Sequence, residues 1–202
     1  MSETPAAQSA QPSGDLDIPT AGRYRIDPGR STLTVTTRHL FGLGAVRATL
    51  ALRGGRITVA DPVTRSTVEA RAAAGTFRSG NDQRDAAVLS ARLLDATTYP
   101  SLTFISTALK PETLPEPDTE PGRWLLRGEL EVRGVSRPVE ARIATVAADP
   151  AAGTLHASAR LRVDRRAFGI TGYRGLAARW LTIDIDIHAE KIQEPDQKQE
   201  EA

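Results

Sequence analysis

An all-β fold is predicted for this chain: a closed up-and-down antiparallel barrel carrying a single helix. Three observations predict it. Apolar and polar residues alternate with a period of two through most of the sequence, as strands with one buried face do. One segment, Asn81 to Asp95, departs from that period and follows a helical one. The alternating segments are short, about eight or nine in number, and separated by turn signals. Closure into a barrel removes exposed strand edges. Two stacked sheets are the alternative, because periodicity does not distinguish a rolled sheet from a sandwich.

Tyr24 to Ile26 is the first short strand, and Ser31 to Arg38 begins the next. Val46, Ala48, Leu50 and Leu52 mark the apolar face of a third, and Gly54-Gly55 reads as a turn that returns it through Ile57 and Val59. Val68, Ala70 and Ala72 then alternate with Thr67, Glu69 and Arg71. In NDQRDAAVLSARLLD, Asn81 or Asp82 can cap a helix on which Ala86, Leu89 and Leu93 share a face. Ser101 to Leu109 is a strand bounded by Pro100 and Pro111, and the proline-rich PETLPEPDTEPG is a loop. Leu126, Leu130 and Val132 face one way, and a turn at Arg133 to Ser136 leads into Val139, Ala141 and Ile143. TLHASARLRV alternates without a slip, with Leu155, Ala157, Ala159, Leu161 and Val163 on one face. Leu181, Ile183, Ile185 and Ile187 close the series, alternating with Thr182, Asp184, Asp186 and His188.

The length of 202 residues suits one barrel with a substantial core. Residues 1–22 read as a disordered lead, 23–190 as the barrel and 191–202 as a polar tail. Net charge is +1 with the two signs interspersed, so no patch that would steer nucleic acid is visible. Without cysteine there are no disulfides, thiolate nucleophiles or sulfur-ligated metals. The first 22 residues hold neither a basic start nor an apolar run, so no secretory signal or anchor is read there and a cytoplasmic location is expected. No membrane insertion is expected. Transient membrane contact and a homodimer are both compatible with the sequence.

The inward set is unusually small: Ala48, Ala70, Ala72, Ala141, Ala157, Ala159 and Gly128, with four phenylalanines in the whole chain. An eight-stranded barrel is just wide enough to be filled by side chains or to hold one small ligand. Small inward residues therefore imply a void that an apolar guest would occupy. The alternative is that the alanines follow codon bias and that loops or the helix fill the lumen.

Several motifs resemble one family. Tyr24-x-x-Asp27-Pro28-x-x-Ser31 opens a strand ending in Arg38-His39. Thr76-Phe77-Arg78-Ser79-Gly80-Asn81-Asp82-Gln83-Arg84-Asp85 follows, then Leu89, Asp95, Tyr99-Pro100 and Thr103-Phe104 with Ser106-Thr107. Gly128-x-Leu130, Arg133-Gly134-Val135-x-Arg137-Pro138-Val139 and Arg165-x-x-Phe168-Gly169-Ile170 continue it. In order and spacing these are similar to the YceI-like family over Tyr24 to Glu190. The resemblance implies an eight-stranded antiparallel lipocalin-like β-barrel whose apolar pore holds a long isoprenoid chain. It departs from the family where Ala48 and Leu50 replace a usual Gly-x-Phe and where Ala178-Arg179 replaces a usual Gly-Asp.

The expected activity is non-catalytic binding, transport or storage of a polyisoprenoid or other long apolar molecule, with no cofactor. His39 at the end of the second strand and Arg84 at the helix start are candidates for a ligand head group, since guanidinium binds oxyanions bidentately, and Phe41, just beyond that strand, is a further ligand-binding candidate. Leu89, Leu93, Phe104, Phe168 and Tyr173 are candidates for the channel wall. Each has a structural alternative: a loop-holding histidine, an internal salt bridge of Arg84 with Asp82, Asp85 or Asp95, and ordinary core for the rest. Asp184-x-Asp186-x-His188 has the residue types of a metal site, but a solvated outer face explains it more simply, and no metal is expected. No nucleophile elbow or triad spacing occurs. A small barrel enzyme using His39 and Arg84 is the alternative function.

Overall fold

The computed structural model describes residues 18–39, 44–111, 124–172 and 178–193. Among the described residues ten strands run in chain order: β1 (Gly22–Ile26), β2 (Thr32–His39), β3 (Gly44–Leu50), β4 (Leu52–Val59), β5 (Thr67–Ala73), β6 (Ser101–Pro111), β7 (Trp124–Val132), β8 (Val135–Asp149), β9 (Thr154–Asp164) and β10 (Trp180–Lys191). One α-helix, α1 (Asp82–Leu89), lies between β5 and β6.

The sheet is continuous and closes on itself. Its order is β1-β4-β5-β6-β7-β8-β9-β10-β2-β3, with β1 also paired to β10. β1 and β2 lie end to end along β10, and β4 and β3 lie end to end along them, so the ten strands form eight staves. The expected eight-stranded antiparallel barrel is the observed fold.

The closing stave changes partner midway. β10 pairs with β2 from Thr182 to Asp186 and with β1 from Ala189 to Lys191. At the changeover the Asp27 N–H donates to the His188 carbonyl at 2.8 Å. The Ser31 hydroxyl donates to the same carbonyl at 3.3 Å and accepts from the His188 N–H at 3.0 Å. Asp27 and Ser31 thus satisfy the backbone groups that the interrupted ladder would leave bare.

Gly54-Gly55 is not a hairpin turn. It lies inside β4, where the register with β5 shifts between Leu52 and Gly54. Gly54 has φ +126°, and a Cβ on Gly55 would strike the Glu69 carbonyl oxygen and come within 2.9 Å of Ala70 Cα. The glycine pair therefore allows a bulge and a close strand approach, which bend the stave instead of reversing it.

The helical segment is also shorter than its period suggests. α1 ends at Leu89, and the Ser90 hydroxyl donates to the Ala87 carbonyl at 2.7 Å. Ser90 leaves helical geometry with ψ 164°, and the chain turns back so that the Ala96 N–H reaches the Leu89 carbonyl. A serine hydroxyl bonding its own backbone competes with helix continuation. Leu93 consequently sits in a turn, and Ala86 is exposed.

Among the described residues most buried apolar side chains fall into three groups. Tyr24, Ile26, Ile57, Val59, Leu155 and Ala189 pack one end of the tube. Ala48, Leu50 and Phe77 pack beneath α1 at the other. Between and above them Leu109, Leu126, Ala141, Leu161, Val163 and Phe168 belong to the third.

Gly128 is buried for a packing reason: a Cβ there would stand 2.5 Å from the Phe104 ring and 2.5 Å from the Ile105 carbonyl oxygen. The absent side chain is the space the ring occupies. Gly128→Ala should lower stability in urea denaturation by about 1–3 kcal/mol through overpacking. Trimming Phe104 to leucine in that background should recover only part of the loss, because the Ile105 carbonyl remains in the way.

Candidate functional site, an apolar lumen

Inward residues of the staves enclose a cavity of about 320 Å³. That is the lower end of the roughly 300–1,000 Å³ common for small-molecule sites. Four consecutive inward residues of β10, Leu181, Ile183, Ile185 and Ile187, run along it. At roughly 3.4 Å per residue they cover about 20 Å of strand. Such a modest volume drawn out over that distance is a narrow bore, not a round chamber.

The bore is narrowed by branched residues on β10 and opened by small ones opposite. Ala157 pairs with Ile187 and Ala159 with Ile185 across β9 and β10. Ala48, Ala70, Ala72 and Ala141 also line the cavity, as the alternation predicted, while Gly128 gives its space to Phe104. The Tyr24 group closes the end below Ile26 and Ile57: Tyr24 is 2% exposed and its hydroxyl donates to the Thr20 carbonyl at 2.7 Å. Burial raises the Tyr24 pKa above its ordinary value, so the phenol is neutral there.

At the opposite end the cavity is lined by Val88, Leu93 and Leu94 from the segment after β5, and by Arg165, Phe168 and Ile170 after β9. Arg165 is 4% exposed, an unusual place for a guanidinium. Its Nη1 donates to the carbonyls of Ile170 and Gly172, both at 2.8 Å, and its Nε to the Ala178 carbonyl at 2.9 Å. Desolvation lowers its pKa from the usual guanidinium value, and the nearby Arg166 charge adds to that. Carbonyl acceptors on three residues make it a bracket for the β9–β10 connection. Asp164 caps the 3-10 turn that follows, accepting from the Arg166 N–H at 3.0 Å and from Arg179 Nε at 2.8 Å. The Arg179 hydrogen bond holds the Asp164 carboxyl below the usual carboxylate range.

The helix start is tied by a second bracket. Asn81 accepts from the Arg84 N–H at 2.9 Å and caps α1. Asp85 is 5% exposed and accepts from the Ser79 N–H at 3.0 Å and, in a short hydrogen bond, from the Ser79 hydroxyl. Arg84 Nε donates to Ser79 Oγ at 2.6 Å, and its Nη2 donates to the Ser79 carbonyl at 2.9 Å. Arg84 thus turns toward Ser79 and does not line the cavity.

The remaining sequence-selected residues separate by position. Leu93, Phe104 and Phe168 line the lumen. Leu89, the last residue of α1, packs against the Ala48, Leu50 and Phe77 group, outside the lining, and Val88 takes the lumen position instead. His39 pairs with Gly44 at the helix end of the barrel. Phe41 and Tyr173 lie outside the described residues. Sequence reading missed Arg165, whose only sign was an arginine set directly after an alternating strand in Arg165-x-x-Phe168-Gly169-Ile170. It also missed Thr37, an inward threonine on β2. Thr37 lines the lumen, and its hydroxyl is the one buried side-chain polar atom among the described residues without a hydrogen-bond partner.

A closed antiparallel barrel of eight staves around one apolar bore defines a lipocalin-like class of small barrels. The family model for the YceI-like domain matches residues 24–190, and the chain belongs to that family. Solved structures of the same fold include BcnA of Burkholderia cenocepacia, with 18% identity, a TM-score of 0.67, and coverage of 81% of this chain and 98% of that one. Another is a polyisoprenoid binding domain from Saccharophagus degradans implicated in plant cell wall breakdown, with 12% identity, a TM-score of 0.62, and coverage of 84% of this chain and 98% of that one. No curated protein matches the sequence. Among the described residues no helix is long and apolar enough to cross a membrane.

The Ser79 hydroxyl holds the Asp85 carboxyl below its ordinary value, with the backbone N–H of Ser79 and the charges of Arg78 and Arg84 acting the same way against desolvation. A folded-state value depressed below the unfolded one means that the unfolded chain takes up the proton first. The contribution is therefore present above the unfolded value, near pH 4, and is lost as pH falls through the folded one. Asp85→Asn should lower stability at pH 7 and flatten the acid limb of a denaturation-midpoint profile recorded from pH 6 downward.

Proposed function

We propose that this protein binds a long, thin apolar molecule end-on in its lumen, most plainly a polyisoprenoid, and carries or stores it without chemical change. The observation that supports this most is the bore: apolar from Ile187 and Ile26 to Leu93, with polar residues limited to Thr37, Arg71, Thr103, Ser158 and Arg165 among the described lining. Arg71, Thr103 and Ser158 stand at positions that alternate with inward residues, so their polar ends point out of the tube. Arg165 is committed to carbonyls.

Each methylene moved from water into such a tube contributes about 0.8 kcal/mol, so a chain of several prenyl units binds firmly without a polar contact. A bare apolar cavity has the opposite effect, at about 24 cal/mol per Å³ of void, which favours an occupied state. The resemblance to a polyisoprenoid binding domain in fold, and membership of the YceI-like family, agree with that ligand class. Leu93, Phe104 and Phe168 then serve as wall contacts. The unpartnered Thr37 hydroxyl orients a ligand whose polar end is a hydroxyl or carbonyl, since a buried hydroxyl left unpaired is costly. The catalytic alternative loses its anion clamp, because Arg84 is spent on Ser79 outside the lumen.

Organic extracts of natively purified protein, analysed by mass spectrometry, should contain a long prenyl lipid, and lipid-free protein should take one up. Ala159→Phe places a ring in mid-bore opposite Ile185 and should reduce uptake by roughly tenfold or more while the thermal midpoint holds or rises, because it fills a void. Empty extracts together with no uptake, or undiminished uptake by the filled variant, would contradict the proposal.

A further inference from the structure

On the outside of the barrel, at the point where β10 changes partner, two of the three histidines of the chain meet. His156 on β9 and His188 on β10 are directly opposed, their rings stacked with centroids 4.4 Å apart and planes 14° from parallel. Asp186 lies beside both: one carboxylate oxygen is 2.8 Å from His156 Nε2 and the other is 3.4 Å from His188 Nε2. One ligand atom from each residue can be chosen so that all lie within 4.8 Å of one another. We propose that His156, Asp186 and His188 form a binding site for a divalent transition-metal ion, zinc in the first instance.

The neighbours favour a metal over an ordinary surface ion pair. One step along the same face, Asp184 is met by Arg160, which sits directly opposite and donates to it at 2.5 Å. Asp186 is flanked instead by Ser158 on β9 and Thr32 on β2, both uncharged, and the other cross-strand neighbour of His156 is Ala147. No lysine or arginine is set opposite any of the three in register. Both flanking positions on the neighbouring strands, Ala147 and Ser158, carry small side chains.

Rigidity favours it too. The His188 backbone is fixed by the Ser31 hydroxyl and the Asp27 N–H, and Ser31 is 7% exposed. Two of the ligands therefore sit on a strand held on both edges, which fixes the spacing of the backbone positions that carry them. Ligand atoms on a tetrahedral zinc at about 2.0–2.1 Å stand about 3.3 Å apart, and the two Asp186–histidine distances of 2.8 and 3.4 Å already lie near that spacing. Two imidazoles and a carboxylate with a water in the fourth place suit zinc, and in the same set nickel or copper, over magnesium or calcium. Bound there, the ion would pin β9 to β10 at the closing stave, remote from the Leu93 end of the lumen, and so would raise stability without touching the lipid path.

Isothermal titration of the full chain with Zn²⁺ tests the proposal, with Co²⁺ absorption and imidazole NMR signals as a second readout on the unaltered protein. One ion per chain is expected, with the His156 and His188 resonances moving and the thermal midpoint rising as zinc exceeds its dissociation constant. His188→Ala and Asp186→Asn should each weaken binding by roughly tenfold or more. Asp184→Asn should leave affinity within about twofold, which separates a built site from general attraction by the acidic face. Absence of one-to-one binding, or imidazole signals unmoved by Co²⁺ in the unaltered protein, would overturn the site. So would equal loss in Asp184→Asn.

Discussion

The lumen exists because β10 is paired along both edges. Its inner edge runs beside β9 from Trp180 to Glu190, while the other is shared between β2 and β1. A sheet that failed to close there would present a long row of bare N–H and C=O groups, and its isoleucines would face water. Closure requires that one strand accept two partners in succession, and Ser31 with Asp27 makes the exchange by satisfying both the N–H and the carbonyl of His188. The apolar bore, the packed Tyr24 end and the bracketed Leu93 end all follow from that joint.

Given a closed tube, side-chain size sets its content. Ile185 and Ile187 on β10 pair with Ala159 and Ala157 on β9, and the Phe104 ring spends the space of Gly128. The interior is neither solid nor wide. Among the described residues, Arg165 and Arg84 are used as brackets on carbonyls and on Ser79, tying Ile170 and Gly172 to Arg165 and the start of α1 to Ser79. Both depend on acceptors that are backbone or hydroxyl oxygens, so neither guanidinium projects a ready charge into the lumen.

Much of this was readable from the residues. The unbroken alternation from Thr154 to Val163 names its own inward face, and Ala157 and Ala159 there already imply an under-filled interior. Periodicity failed where one signal serves two geometries. Gly54-Gly55 has the composition of a hairpin turn, yet a bulge uses the same freedom, and the choice is made by Glu69 and Ala70 from a strand distant in sequence. The helical period runs past the helix because Leu93 keeps a helical spacing from Leu89 while the Ser90 hydroxyl competes for backbone where α1 ends. The role of Arg165 is not legible locally, since nothing in the sequence around it shows that Ile170, Gly172 and Ala178 turn their carbonyls toward it. The pairing of His156 with His188 needed the register of β9 against β10, which alternation alone does not supply.

The most direct measurement is methyl NMR of the protein titrated with a spin-labelled long-chain prenyl alcohol. Occupancy of the bore predicts broadening that runs along Leu181, Ile183, Ile185 and Leu93 and spares Ile105, which is 51% exposed on the outer surface. Broadening confined to outer-surface methyls, or none at ligand excess, would contradict a lumen built to hold a chain.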